Sequence, residues 1–340
     1  MSSSKLTMKI FLLDKHSSII DVKNNILKRT YQEELLIAKQ DVKQAQVMSE
    51  EEKYFYYEWD NERTKTEDII LSETEDNIIE TRVLETYAEL EFPKKRKKDP
   101  LGNILPKKDR INDTSIRVIF FENEKAIYFL IFTSNESHID RVRKLIGENY
   151  IKDVDQRYHM APDLFNWLFY KYSVSKGCLT EELTLNNISG FIGNSIDEHN
   201  IFKSSSDQTS DLIITKAFIS NGEILKNITA RITSPEGELV FSLDHNSNST
   251  LFLNQSIMYF NSSDKEMLTP IYLFKLLIPA IKNAYEDNSK KFLEKDKKQF
   301  SAKIGLEVIQ SIIENNDIEL KEIKGLFSIP QKDLPSVIKN

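Results

Sequence analysis

Eight basic side chains stand within seventeen residues: Lys94, Lys95, Arg96, Lys97, Lys98, Lys107, Lys108 and Arg110. Only Asp99 and Asp109 oppose them, which leaves a balance of +6. Closely spaced Lys and Arg displace counterions from a nucleic acid and so bind its phosphates without regard to sequence. The same stretch holds Pro93, Pro100, Pro106 and Gly102, which interrupt helix and strand alike, so residues 93–110 are expected to form an exposed, mobile loop. The plainer alternative is a solvated connection between strands that contacts the acids just before it. Pro93-Lys-Lys-Arg-Lys-Lys also has the form of a nuclear-import signal. The Lys, Asn and Ile bias of an AT-rich microbial genome ranks import low. Arg141, Arg143 and Lys144 are a second candidate phosphate contact, with a solvated helix face as the alternative.

Other constellations are weaker. Histidine occurs five times, at His16, His138, His159, His199 and His245. Asp153 and Asp155 with His159, and Asp197-Glu198-His199, have the hard-ligand character that divalent ions want. Such groups arise freely in a chain that is 29% charged, so no metal site is assigned and no cofactor is expected. There is no Gly-x-x-x-x-Gly-Lys-Ser/Thr loop and no Gly-x-Gly-x-x-Gly turn after a strand, which argues against the common nucleotide enzymes. Cys178 stands alone without a neighbouring His, and no Gly-x-Ser-x-Gly elbow exists. Asp211 and Glu223 map poorly onto a restriction-type nuclease, because no acid-x-Lys pair follows in the right strand. His245, beside Asp244 in a turn, is expected to be structural. The stripe Tyr54, Tyr56, Tyr57 and Trp59 has the composition to stack bases, but an aromatic strand is more often core.

These residues need elements to hold them. Leu6–Leu13 alternates as a strand, Ile19–Leu27 and Glu33–Gln46 favour helix, and Tyr54–Trp59 is a short aromatic strand. Ile116–Phe121 and Ala126–Phe132 are apolar strands around a tight turn. A capped helix then carries Ile139, Val142, Leu145 and Ile146 on one face and stops at Gly147. Pro162 opens a helix over Asp163–Tyr172 that is apolar on nearly all sides and therefore buried. Leu212–Ile219 and Ile224–Thr233 flank Asn221-Gly222, a pair suited to the primed turn of a hairpin, and further strands follow at Leu239–Leu243 and Thr250–Leu253. Ile224, Ile228, Ala230 and Ile232 are expected to share a buried face. Thr269-Pro270 opens a helix that Pro279 must kink or divide, and Ile304–Ile313 is the last amphipathic helix.

The fold class expected is α+β: an N-terminal α/β region with a charged insertion over residues 1–114, an antiparallel β-meander packed with helices over 115–316, and a tail over 317–340. The modest net charge of −7 hides a polarised first third, because Ser49–Glu91 carries fifteen acids against four bases, a balance of −11, immediately before the basic loop. That adjacency suggests that acids such as Glu73, Glu75, Asp76 and Glu80 mask the loop. A single cysteine points to a reducing compartment, and without an apolar run of membrane-spanning length the chain is expected to be cytoplasmic with no membrane partner. The function expected is a non-catalytic nucleic-acid-associated or regulatory protein. Its partners would be DNA or RNA through phosphate contacts, and a protein or a second copy of the chain. Biased composition without metabolic motifs suggests a setting in microbial antiphage defence. A metal-dependent nuclease and a structural subunit of a larger complex are the rivals.

Overall fold

Alternation along β1 (Leu6–Leu13) buries Met8, Ile10, Phe11 and Leu13, as the sequence predicts. The structure is a computed structural model and describes residues 5–36, 41–73, 78–152, 158–194, 201–205, 213–260, 264–319 and 321. Ser18 caps a short helix α1 (Ile19–Asp21), which continues as one π turn over Val22–Ile26. Then come β2 (Tyr31–Glu34), α2 (Val42–Gln46), α3 (Glu50–Lys53), β3 (Tyr54–Trp59), β4 (Lys65–Glu73) and the long β5 (Ile78–Pro93). A single turn of helix, α4 (Lys107–Arg110), leads into β6 (Ile111–Asn123), which is joined to β7 (Ala126–Ile131) by a tight turn. Next in order are α5 (Glu136–Ile146), β8 (Ile151–Lys152), α6 (Leu164–Val174), β9 (Thr184–Asn194), β10 (Ile201–Ser205) and α7 (Ile213–Ser220). The chain continues through β11 (Leu225–Ser234), β12 (Gly237–Asp244), β13 (Ser249–Leu251) and β14 (Ile257–Met258), then α8 (Lys265–Tyr272), α9 (Ile278–Lys291) and α10 (Lys297–Asn315). The architecture is mixed α+β with a large antiparallel sheet. No helix among the described residues is long and apolar enough to cross a membrane.

The chain divides into two compact units, Met1–Ala161 with Arg231–Asn283, and Pro162–Ala230 with Ala284–Asn340. In the first, β1 lies between β7 and β13, β7 pairs with β6, and β6 pairs with β5 from Val83↔Phe121 to Pro93↔Ile111. On its other side β5 pairs with β4 over Ile78–Glu85 and with β3 over Ala88–Leu90, and β3 pairs with β2. Phe11 stacks on Phe129 at 5.3 Å and Phe120 meets Trp59 edge-on at 6.1 Å, which places the aromatic strand β3 in the core through Phe55, Tyr57 and Trp59. α5 starts at Asn135, whose side chain accepts from Ser137 N, and buries Ile139, Val142, Leu145 and Ile146 before Gly147 ends it. In the second unit, Trp167 of α6 meets Tyr285 at 5.6 Å, Phe169 meets Phe191 at 6.0 Å, and α7 lies along α10 with Lys216 paired to Glu307 at 2.9 Å.

Several expectations change. Residues 213–220 form a helix rather than a strand, because Thr215 and Ile219, four apart, are the buried pair. Asn221-Gly222 therefore closes a helix instead of a hairpin, with Asn221 N donating to Ala217 O and Gly222 at φ +77°. Ile224 is consequently exposed, whereas Ile228, Ala230 and Ile232 are buried as expected. The helix expected over Glu33–Gln46 is replaced by β2 and the short α2, since Tyr31 stacks on Tyr57 and Glu33 accepts a hydrogen bond from the Tyr57 hydroxyl across the β2–β3 ladder. Pro270 lies inside α8 rather than at its start. The Glu266 carbonyl that its missing N–H leaves free accepts from Arg117 Nη1 at 3.4 Å. Pro279 follows a π turn at Leu273–Leu277 and sits in the first turn of α9, so the helical path continues.

Candidate nucleic-acid interface

The β5–β6 ladder runs to Pro93↔Ile111, and the chain between them folds back on itself instead of trailing into solvent. Lys94 N donates to Arg110 O at 2.7 Å, Leu105 N to Lys97 O at 2.9 Å, and Lys98 bridges Ile104. Asp99 closes the tip, its carboxylate accepting from Asn103 N at 2.8 Å and Asn103 Nδ2 at 3.0 Å, with Gly102 at φ +88° completing the turn. These bonds within the turn hold the Asp99 carboxyl below its ordinary range. The loop is thus a miniature hairpin held by hydrogen bonds within it.

The pins come from distant sequence. Buried Asp41 pairs with Lys98 at 2.7 Å, and Gln44 Oε1 accepts from Ile104 N at 2.8 Å. Glu91 pairs with Lys107 at 2.7 Å, and that ammonium also lies 4.2 Å from the centroid of the Tyr56 ring. Arg110 is 1% exposed. Its Nε donates to Leu105 O at 3.0 Å and its Nη2 to Glu52 O, and burial pushes its pKa down. Arg110, Lys107 and Lys98 are therefore occupied in building the loop. Lys94, Lys95, Arg96, Lys97 and Lys108 form no ion pair among the described residues, although Arg96 Nε donates to Lys98 O at 3.3 Å. Lys95, Arg96 and Lys108 are exposed, and Lys94 and Lys97 half-buried.

α5 presents its bases differently. Arg141 lies over Phe92 at 5.2 Å, next to the loop's base, and its Nη1 donates to Ser137 O at 3.0 Å. Arg143 lies over Phe11 at 5.7 Å and stands 4.0 Å from Asp140. Lys144 pairs with Glu33 at 3.0 Å above Tyr31. Burial pushes the Glu33 carboxyl up, but hydrogen bonds from Tyr57 and Lys144 outweigh it and hold the group below its ordinary range. Burial and the Glu33 carboxylate raise the Tyr57 hydroxyl, which stays protonated. The structure brings Arg141 to the end of β5 from which the loop departs, while Arg143 and Lys144 are engaged elsewhere.

Glu73 and Glu80 lie at the far end of the β4–β5 hairpin, and thirteen residues of extended strand from Glu80 to Pro93 span about 43 Å. Among the described residues of the stretch, only Glu91, at the near end, pairs with a loop cation, and it holds Lys107 rather than the exposed bases. Glu75 and Asp76 lie outside the described residues, as do Asp153, Asp155 and the Asp197-Glu198-His199 triplet. His159 is exposed, and no group of three potential metal ligands occurs among the described residues. Set against known proteins, the chain matches no family model and no curated sequence. Asp41, Gln44 and Glu52 are the residues sequence reasoning missed. Nothing local marks them, because their partners lie more than fifty residues away.

Proposed function

We propose that this protein is a non-catalytic binding module that grips the phosphate backbone of a nucleic acid through Lys94, Lys95, Arg96, Lys97 and Lys108. One observation carries this: Asp41 and Glu91 are paired with Lys98 and Lys107, and the remaining five cations of the loop form no ion pair among the described residues. Each phosphate they neutralise releases counterions, which favours binding at low salt. Replacing Lys94, Lys95, Arg96 and Lys97 together with Gln tests it on duplex DNA and duplex RNA across a salt series. The slope of log affinity against log salt should shrink by about 3–4 while thermal unfolding is unchanged. An unchanged slope rejects the proposal.

A further inference from the structure

Helix α10 of the second unit is apolar on two opposite sides. Phe300, Ile304 and Val308 are buried, and Phe300 meets Tyr170 edge-on at 5.6 Å. Ala302, Leu306, Ile309 and Ile313 stand about half a turn round the helix from those three, on the outer side. Leu306 is 68% exposed and Ile309 52%, while Ala302 is exposed and Ile313 half-buried. A surface helix ordinarily turns polar and charged residues outward, and two large aliphatic side chains at the centre of this side break that pattern.

The outer stripe has the spacing 4, 3, 4, the repeat by which paired helices mesh. It reads the same in both directions. In an antiparallel pair of identical helices Leu306 therefore faces Ile309 of the second copy and Ala302 faces Ile313, which sets a small side chain against a large one at each end and closes the pair on a two-fold axis. The flanking charges select that direction. Lys298 and Lys303 are exposed and form no ion pair among the described residues, whereas Lys297 is held by Asp163 at 2.5 Å. A parallel pair sets Lys298 against Lys303 of the second copy, twice over, and like charges there oppose it. An antiparallel pair instead brings Lys303 to Gln310 and Glu314 of the second copy. Gln310 Nε2 donates to Glu314 at 2.8 Å, which places that exposed carboxylate beside the stripe.

We infer that a second copy of this chain docks on the outer side of α10, antiparallel, through Ala302, Leu306, Ile309 and Ile313, with Lys303 of each copy beside Glu314 of the other. The stripe spans about two heptads, where a lasting coiled coil takes about three to four, so the pair is weak and reversible. Because each copy uses the same face, the association closes at two chains and builds nothing longer. The inference does not rest on the basic loop, which belongs to the first unit.

The test is sedimentation velocity on the full chain, free of nucleic acid, from about 5 μM to about 500 μM, a range that brackets a small reversible interface. The wild type should move from monomer toward dimer. Leu306→Glu, a change at an exposed position, should hold the chain monomeric throughout with its thermal unfolding unchanged. Lys303→Glu should weaken association roughly tenfold, since the two-fold axis counts each pair twice, and Lys303→Glu with Glu314→Lys should restore it. Direction is read separately in a Cys178→Ser background, which removes the one native cysteine. Chains with Ala302→Cys and chains with Ile313→Cys should join by a disulfide on mild oxidation only when mixed, because antiparallel pairing keeps the two copies of position 302 about 16 Å apart along the helix. A chain that is monomeric at every concentration overturns the inference, as does association that Leu306→Glu leaves intact. Tighter association in Lys303→Glu, or a disulfide in Ala302→Cys alone, would show parallel pairing and overturn it as well.

Discussion

The β5–β6 loop and helix α5 carry bases of the same kind and put them to different uses. On α5, Arg141, Arg143 and Lys144 lie against Phe92, Phe11, Tyr31 and Glu33, so their charge is spent inside the unit. In the loop, Arg110, Lys107 and Lys98 do the same, while the other cations form no ion pair among the described residues. Density of positive charge along a chain is thus a poor guide to its availability. What decides is whether an acid, a carbonyl or a ring lies within reach in the folded state.

The largest effect expected comes from the centre of the loop. Arg110→Ala strands the Leu105 and Glu52 carbonyls and leaves a cavity, so it should cost about 3 kcal/mol in denaturant unfolding. Arg110→Met should cost less, since it fills the volume and removes a desolvated charge. Equal stability in all three proteins would mean that the loop is not pinned. Next in size, replacing Arg141, Arg143 and Lys144 together with Gln should lower stability by about 1–2 kcal/mol through lost ring and ion contacts, yet leave the salt slope of nucleic-acid binding close to wild type. A slope reduced as far as in the loop variant would erase the distinction between the two segments.

The smallest effect is a change in pH dependence. Glu33 sits below its ordinary pKa in the fold, so its contribution to stability is present above the unfolded carboxylate range and is lost as the pH falls through the lowered value. Glu33→Gln should therefore flatten the decline in stability between about pH 5 and pH 3. A decline as steep as in wild type would show that the Tyr57 and Lys144 contacts do not favour the ionised form.

Elements with one clear period were legible in the sequence. β1 and α5 needed only alternation in the first case and an Asn cap, a four-residue apolar repeat and Gly147 in the second. Segments whose state depends on a distant partner were not. Ile213–Ser220 is rich in branched residues that suit strands, and only its burial beside α10 makes it a helix. Glu33 and Glu34 are good helix formers, but the Tyr57 hydroxyl and ring draw Tyr31–Glu34 into the sheet. The loop could be located from its prolines and lysines. Which lysines form ion pairs could not, because that depends on Asp41 and Glu91.

β4 hydrogen-bonds to β5 along one side, and no other strand among the described residues lies along its second side. Lys65, Thr66, Glu67, Asp68 and Ile70 are exposed along it. Its Glu67–Glu73 part lines a cleft with Glu236, Tyr259 and Leu268, and Ser72 donates to Glu236 at 2.5 Å, while an unpaired strand edge is in general a template for another chain that charge makes unfavourable. On β4 the exposed Glu67 is a charge of that kind, whereas Asp68 is already paired with Arg82 at 2.8 Å.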